Sequence, residues 1–334
     1  MLDLVGRRRW FYLVSFLVLL PGIIALLIPP ALRAGIEFTS GTNFTVRFAE
    51  DVESTELRDT LADLDHPEAR VQSTGQNEFL VRTKELTGAA AAPEVGPARP
   101  GEREELETAL KDRFGPLVDS QGNIKEPPRF IEFTSVSPSV SREIARNAAI
   151  AVGVAALAIF FYLWWSFRSV PSPFRYGAAA IVALMHDTLL VVGAFSIFGK
   201  LFGTEINTMF ITGILTVIGF SVHDTIVVFD RIRETVHRGE GRELSQSINE
   251  SLLQTMSRSL NTSLTLIFAI LALMLMGGET IRPFLWVLLI GTITGTYSSI
   301  CVAAQVLVSW EEGDIPRLWR RLTGREALPI PSGG

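Results

Sequence analysis

Six stretches of the chain stay apolar on every helical face for long enough to cross a bilayer, which takes about 20 helical residues. They lie near Trp10–Ile28, Ala148–Trp165, Tyr176–Phe198, Asn207–Phe229, Leu252–Met276 and Pro283–Trp310. A helix that is hydrophobic all round belongs in a large core or a membrane, and six of them predict a polytopic bundle of six transmembrane helices. Between the first two stretches the pattern changes. Ile36–Phe48 alternates as a strand does, and Ser54–Leu64 places Leu57, Leu61 and Leu64 on one helical face. Arg70–Ser73 and Glu78–Thr83 read as strands around a Gly-Gln-Asn turn, Glu102–Phe114 as an amphipathic helix and Phe130–Val136 as a last strand. The order βαββαβ predicts an α+β ferredoxin-like domain. Thr87–Gly101, rich in Ala, Pro and Gly, interrupts it as a loop.

The chain therefore divides into an N-terminus (1–9), a first transmembrane helix (10–28), an extracytoplasmic domain (33–147), helices two to six (148–310) and a C-terminal tail (311–334). Arg7–Arg9 before an apolar run also describes a secretion signal. The apolar core is 19 residues long, beyond the roughly 7–15 of a signal, and no small-x-small cleavage site follows, so the segment is expected to remain as an anchor. With the N-terminus inside, thirteen arginines (Arg7, Arg8, Arg9, Arg168, Arg175, Arg231, Arg233, Arg238, Arg242, Arg317, Arg320, Arg321 and Arg325) fall on the inner side. The two short outer loops carry Lys200 and Arg282. The positive-inside rule then places both termini in the cytoplasm.

Whole-chain averages conceal this division: 48% hydrophobic, 19% charged, net charge −5 and mean hydropathy +0.31. Residues 33–147 hold 14 basic and 21 acidic side chains, whereas the remainder is net +2. The acidic balance argues against wholesale nucleic-acid binding. Cys301 is the single cysteine, which excludes an intramolecular disulfide and a cysteine-cluster metal site. The outer domain has no Ser/His/Asp set, no metal-ligand spacing and no phosphate-binding glycine loop, so neither catalysis nor a metal or cofactor is expected.

Ionisable side chains inside the hydrocarbon are costly and point to function. Asp187 lies in the third span, Asp224 in the fourth and Arg258 near the inner end of the fifth. The aspartates sit in two His-Asp-Thr triplets, His186-Asp187-Thr188 and His223-Asp224-Thr225, a match too short to establish a repeat. Asp224 is 17 residues from Asn207, about 25 Å at the helical rise. Arg258 is 18 residues from Met276, about 27 Å from the same side. The depths predict an Asp–Arg pair in successive antiparallel helices, which protonation of the carboxylate would release. Thr255, Arg258, Thr262 and Thr265 share one helical face, either a water-accessible path or an interhelical hydrogen-bond seam. The competing reading has Arg258 snorkelling to membrane lipid headgroups and Asp224 in a packing contact. Asp187, about 16 Å in from Tyr176, is either a second relay group or a neutral buried acid, and His223 joins the relay candidates. Gly291, Gly295 and Ser299 form a small-residue face suited to close helix packing.

These residues also carry a resemblance. Phe38-Thr39-Ser40-Gly41-Thr42 resembles the FTGGT signature of the SecD/SecF family, and Val136–Glu143 its VGP-x-VG-x-E lead-in to the second span. GFSVHDTIVVFDRIRE (Gly219–Glu234) is similar to the family's fourth-span motif and INESLLQTMSRSLNTS (Ile248–Ser263) to its fifth. Gly277-Gly278, Ile281-Arg282, Phe284 and GTYSSI (Gly295–Ile300) complete the series, in order over nearly the whole chain. Ser40, Ser137 and Ser141 stand where glycine is usual, and His223 where asparagine is common. The resemblance implies half of an RND-type transporter with Asp224 and Arg258 as ion-coupling residues. It further implies proton or sodium flow that moves the outer domain and draws a translocating preprotein from the Sec translocon of the bacterial cytoplasmic (inner) membrane. The implied partners are SecD as a separate chain, the SecYEG translocon, SecA, YajC and a YidC-type insertase. An RND-type small-molecule efflux component and a non-conducting translocon scaffold are the alternatives.

Overall fold

The computed structural model describes residues 3–86, 101–168, 173–238, 244–278 and 281–313. They form two compact units, Ala34–Ala149 and the segments on either side of it. Helix α1 (Arg8–Leu27) comes first. The Ala34–Ala149 unit then runs α2 (Ile36–Thr39), β1 (Gly41–Arg47), α3 (Ser54–Asp63), β2 (Arg70–Gly75), β3 (Glu78–Thr83), α4 (Glu102–Phe114) and β4 (Glu132–Val136). Next come α5 (Pro138–Ser166), α6 (Pro173–Leu201), α7 (Thr208–Arg238), α8 (Leu244–Met276) and α9 (Arg282–Ser298). A π-helical turn (Ser299–Ala303) and α10 (Ala304–Glu311) end the series. Among the described residues, six helical segments are long and apolar enough to cross a membrane.

The small unit holds one antiparallel sheet of order β2-β3-β1-β4. Its core takes Phe44 and Phe48 from β1 and its continuation, Leu57 and Leu61 from α3, and Leu106, Leu110 and Phe114 from α4. Two expected strands begin later than their alternation implied. Ile36–Thr39 is a helical turn and β1 starts only at Gly41, because Ser40 (φ 64°) takes a left-handed conformation that ends the turn and Gly41 (φ 124°) a positive φ that opens the strand. A side chain at Gly41 would place its Cβ 2.7 Å from the Thr83 carbonyl oxygen, so glycine is required there. Phe130 turns into the core and stacks on Phe44 with centroids 4.1 Å apart. Of the expected loop Thr87–Gly101, only Gly101 lies within the described residues, where it caps α4.

Two polar devices hold this unit. Buried Glu107 accepts hydrogen bonds at Oε1 from Arg103 Nε (2.9 Å) and Phe130 N (3.1 Å). Glu107→Leu should leave the Phe130 amide unpaired, costing about 2 kcal/mol, read as faster hydrogen exchange across Phe130–Val136. Asp119 accepts from the amides of Asn123 and Gln121, each at 2.9 Å. These bonds, the one from Asn123 foremost, hold its carboxyl below the ordinary carboxylate value. Their stabilisation is complete above the unfolded value of about 4 and is lost as the pH falls through the lower folded value. Protection factors at Gln121 and Asn123 should therefore fall in acid, and Asp119→Asn should lower them at neutral pH.

At the head of α5, Ser137 acts as N-cap through Val140 N → Ser137 Oγ (3.4 Å), with Pro138 in the first helical position.

In the other unit the sixth span is mostly buried inside the bundle, whereas the second span, on α5, is largely exposed along its edge. Close approach is built from glycine. A Cβ at Gly213 would lie 2.8 Å from Val287, and one at Gly291 would overlap Val217. Thus α7 and α9 each offer a glycine to the other's valine, while Gly295 faces Ser221 one turn further on. The expected uninterrupted sixth span instead contains the π-helical turn. There Gln305 Nε2 donates to the Ile300 carbonyl at 3.4 Å.

Candidate functional site

Asp224 is buried on α7 and receives two hydroxyl donors from two other elements. Ser259 of α8 donates to Oδ1 and Ser299 of the π-helical turn to Oδ2, both at 2.7 Å. Ser259 follows Arg258 directly, so the depth match between Asp224 and this part of α8 holds. The azimuth differs. One residue is about 100° of helical rotation, and it is the serine that faces the carboxylate. Among the described residues no hydrogen bond or ion pair joins Asp224 to Arg258, which corrects the expected pair. Arg258 is exposed and lines an open recess with Thr255, Gln254, Asp230, Arg231 and Glu234. The acids of that recess have nearer partners: Asp230 pairs with Arg233 at 2.7 Å, and Glu234 with Arg231 and Arg238.

The polar stripe on α8 is displaced in the same sense. Thr262 and Thr265 are exposed and bond the carbonyls of Arg258 and Asn261 on their own helix, at 2.9 and 2.8 Å. The buried seam is Ser247, Ser251, Thr255, Ser259 and Ser263, at four-residue steps. Thr255 belongs to both sets, since it is buried and also lines the recess. His223 is exposed and makes no bond to Asp224 among the described residues. Its counterpart in the other triplet, His186, is buried instead.

Asp187 sits midway along α6 with no exposed surface. Its Oδ2 accepts from Ser221 of α7 and Ser298 of α9, each at 2.6 Å, and its Oδ1 faces His186 Nδ1 at 3.0 Å. Ser221, Ser259 and Ser298 did not stand out in the sequence, and Ser299 did so only as a packing residue, although both 298 and 299 lie within GTYSSI. Every residue from 295 to 299 has an interhelical task. Gly295 packs on Ser221, Thr296 bonds Ser263, and the Tyr297 hydroxyl donates to the Phe11 carbonyl of α1 at 3.0 Å. Ser298 and Ser299 reach Asp187 and Asp224. Five consecutive residues thus tie α1, α6, α7 and α8 to one strut, at the point where α-helical turns give way to a π turn. Such turns recur at functional sites.

Comparison with known proteins agrees with the motif series. The family described as protein export membrane protein SecD/SecF, C-terminal, matches residues 119–313. The chain is 48% identical over 322 residues to protein translocase subunit SecF of Thermobaculum terrenum, covering 96% of this chain and 98% of that protein. It is 38% identical over 332 residues to SecF of Anaerolinea thermophila, covering 98% and 99%. Among solved structures it resembles SecDF, a translocon-associated membrane protein from Thermus thermophilus, with a TM-score of 0.73 and 31% identity. That match covers 93% of this chain and 39% of the SecDF chain.

Proposed function

This chain belongs to the SecD/SecF family of protein-export membrane proteins, and we propose that it couples ion flow through its helix bundle to preprotein movement, with Asp224 as the carrier. It is a multi-pass membrane protein of the protein translocase. SecD is its partner as a separate chain, supported by relatives in which both halves are one polypeptide. The Ala34–Ala149 unit is ferredoxin-like, supported by its βαββαβ order and its β2-β3-β1-β4 sheet. It lies outside the cytoplasmic membrane, with both termini inside, as the arginine distribution favours.

The observation that carries this reading is a buried carboxyl, held by two serine hydroxyls and without a cationic partner among the described residues, one turn from a recess lined by an exposed arginine. A proton entering through that recess neutralises Asp224. On its loss, the carboxylate keeps Ser259 and Ser299 as donors and attracts Arg258 towards it. Each charge moved through the full potential supplies about 2.3 kcal/mol per 100 mV, so useful work requires repeated cycles. Preprotein release from vesicles under an imposed proton gradient tests the assignment. Asp224→Asn and Arg258→Met should each abolish the gradient-dependent component. Undiminished release in both overturns it.

A further inference from the structure

We propose that Asp187 and His186 form a second proton-binding site at the centre of the bundle, distinct from Asp224. Oδ2 of Asp187 is filled by the hydroxyl protons of Ser221 and Ser298, at 2.6 Å each. A proton taken up by the carboxyl is therefore placed on Oδ1, against His186 Nδ1 at 3.0 Å. The same proton can reside on Nδ1 with the carboxylate accepting. In either form the pair is neutral, whereas removal of that proton leaves a net negative charge in an apolar interior. An unpaired buried charge is heavily penalised. His186 is itself buried, and its Nε2 has no hydrogen-bond partner. Its ring is thus engaged on one side only, by the acid.

The groups around the pair supply no competing charge. From α9, the Tyr297 ring lies 6.2 Å from that of His186, and its hydroxyl is engaged by Ser15 and Phe11 of α1. The π turn contributes half-buried Cys301. On α7, Asp224 is held by its own two serines. From α10, Glu311 pairs with Arg175 at the end of α6. Among the described residues no lysine or arginine pairs with Asp187. A sodium ion is a poor fit, because an imidazole nitrogen occupies one carboxylate oxygen and both hydroxyls turn their protons to the other.

The two acids are linked. Ser298 bonds Asp187 and Ser299, the next residue, bonds Asp224, so a change of charge at one acid is felt at the other across one peptide unit. This linkage rests on the reading of Asp224 as a proton carrier, but the site itself does not.

Infrared titration of the full protein in lipid nanodiscs tests it. A carboxylic-acid carbonyl band should disappear on raising the pH, be absent in Asp187→Asn, and remain in Asp224→Asn at a shifted pH. In His186→Gln, which keeps a polar side chain but cannot take the proton, the proton is held less tightly and the band should be lost at lower pH, at about tenfold or more higher proton concentration. Sodium should not displace it. A spectrum unchanged by Asp187→Asn, a band that does not titrate, or displacement by sodium overturns the site. An unmoved band in Asp224→Asn overturns the linkage alone. Loss of gradient-driven release in Asp187→Asn with none in Asp224→Asn would leave this site standing and remove the coupling role of Asp224.

Discussion

Gly193→Leu is expected to detach α1 from the bundle. At this crossing a Cβ on Gly193 would lie 2.8 Å from the Cα of Gly22, and one on Gly22 would lie 2.9 Å from the Cα of Gly193. The obstacle in both directions is backbone, so no rotamer change relieves it and the helices must separate. Overpacking of this kind costs about 1–3 kcal/mol in a well-packed core. Here separation also strains the Tyr12–Ser309 bond (2.9 Å), the Ser15–Tyr297 bond (3.1 Å) and the bond from Tyr297 to Phe11. Unfolding by detergent titration should register the full loss for Gly193→Leu and a smaller one for Gly193→Ala. Gly153 of α5, where a Cβ would meet nothing within 4 Å, is the control, and its leucine variant should match wild type. Equal stability of the Gly193 and Gly153 variants would refute the crossing.

The bundle was far more legible than the site, and the reason is geometric. A transmembrane helix announces itself through some twenty successive side chains, so local errors average away. All six spans appear as helices, with ends that differ because polar turns such as Asp230–Arg238 continue α7 beyond its apolar run. A site depends on single azimuths. Residue spacing along α8 brought Arg258 to the right depth, but only packing decides that Ser259 faces Asp224. Serine is also silent in hydropathy, so Ser221, Ser259 and Ser298 could not be told from neutral filler, and Ser299 stood out only as a small packing residue. Their signal was membership of the motif series, Ser221 in Gly219–Glu234, Ser259 in Ile248–Ser263, and Ser298 and Ser299 in GTYSSI, while the four-residue spacing of Gly291, Gly295 and Ser299 read as a packing face. The structure gives Gly291 and Gly295 to contact with α7 and Ser299 to the carboxylate. In the small unit, alternation extended β1 back to Ile36 because apolar Ile36 and Phe38 kept the period while Ser40 and Gly41 broke the backbone.

Removing both hydroxyls from Asp224, in Ser259→Ala/Ser299→Ala, should cost more than removing the carboxylate. A hydrogen bond to a charged group is worth about 1.5–3 kcal/mol, and a buried charge left without donors carries its whole desolvation penalty. Together the two substitutions should destabilise the bundle by about 3 kcal/mol or more and stop gradient-driven release. In an Asp224→Asn background the same pair of alanines removes only neutral hydrogen bonds, about 1 kcal/mol each. The cycle should therefore show a coupling of about 1–3 kcal/mol between the acid and its serines, read by detergent unfolding of the four variants. Ser259→Thr, which keeps the hydroxyl, should fall near wild type. Strict additivity would mean that the serines stabilise no charge at Asp224, and the carboxyl would then have to be neutral throughout the cycle. A carrier that never ionises cannot move an ion, so this one measurement of stability bears directly on the mechanism of transport.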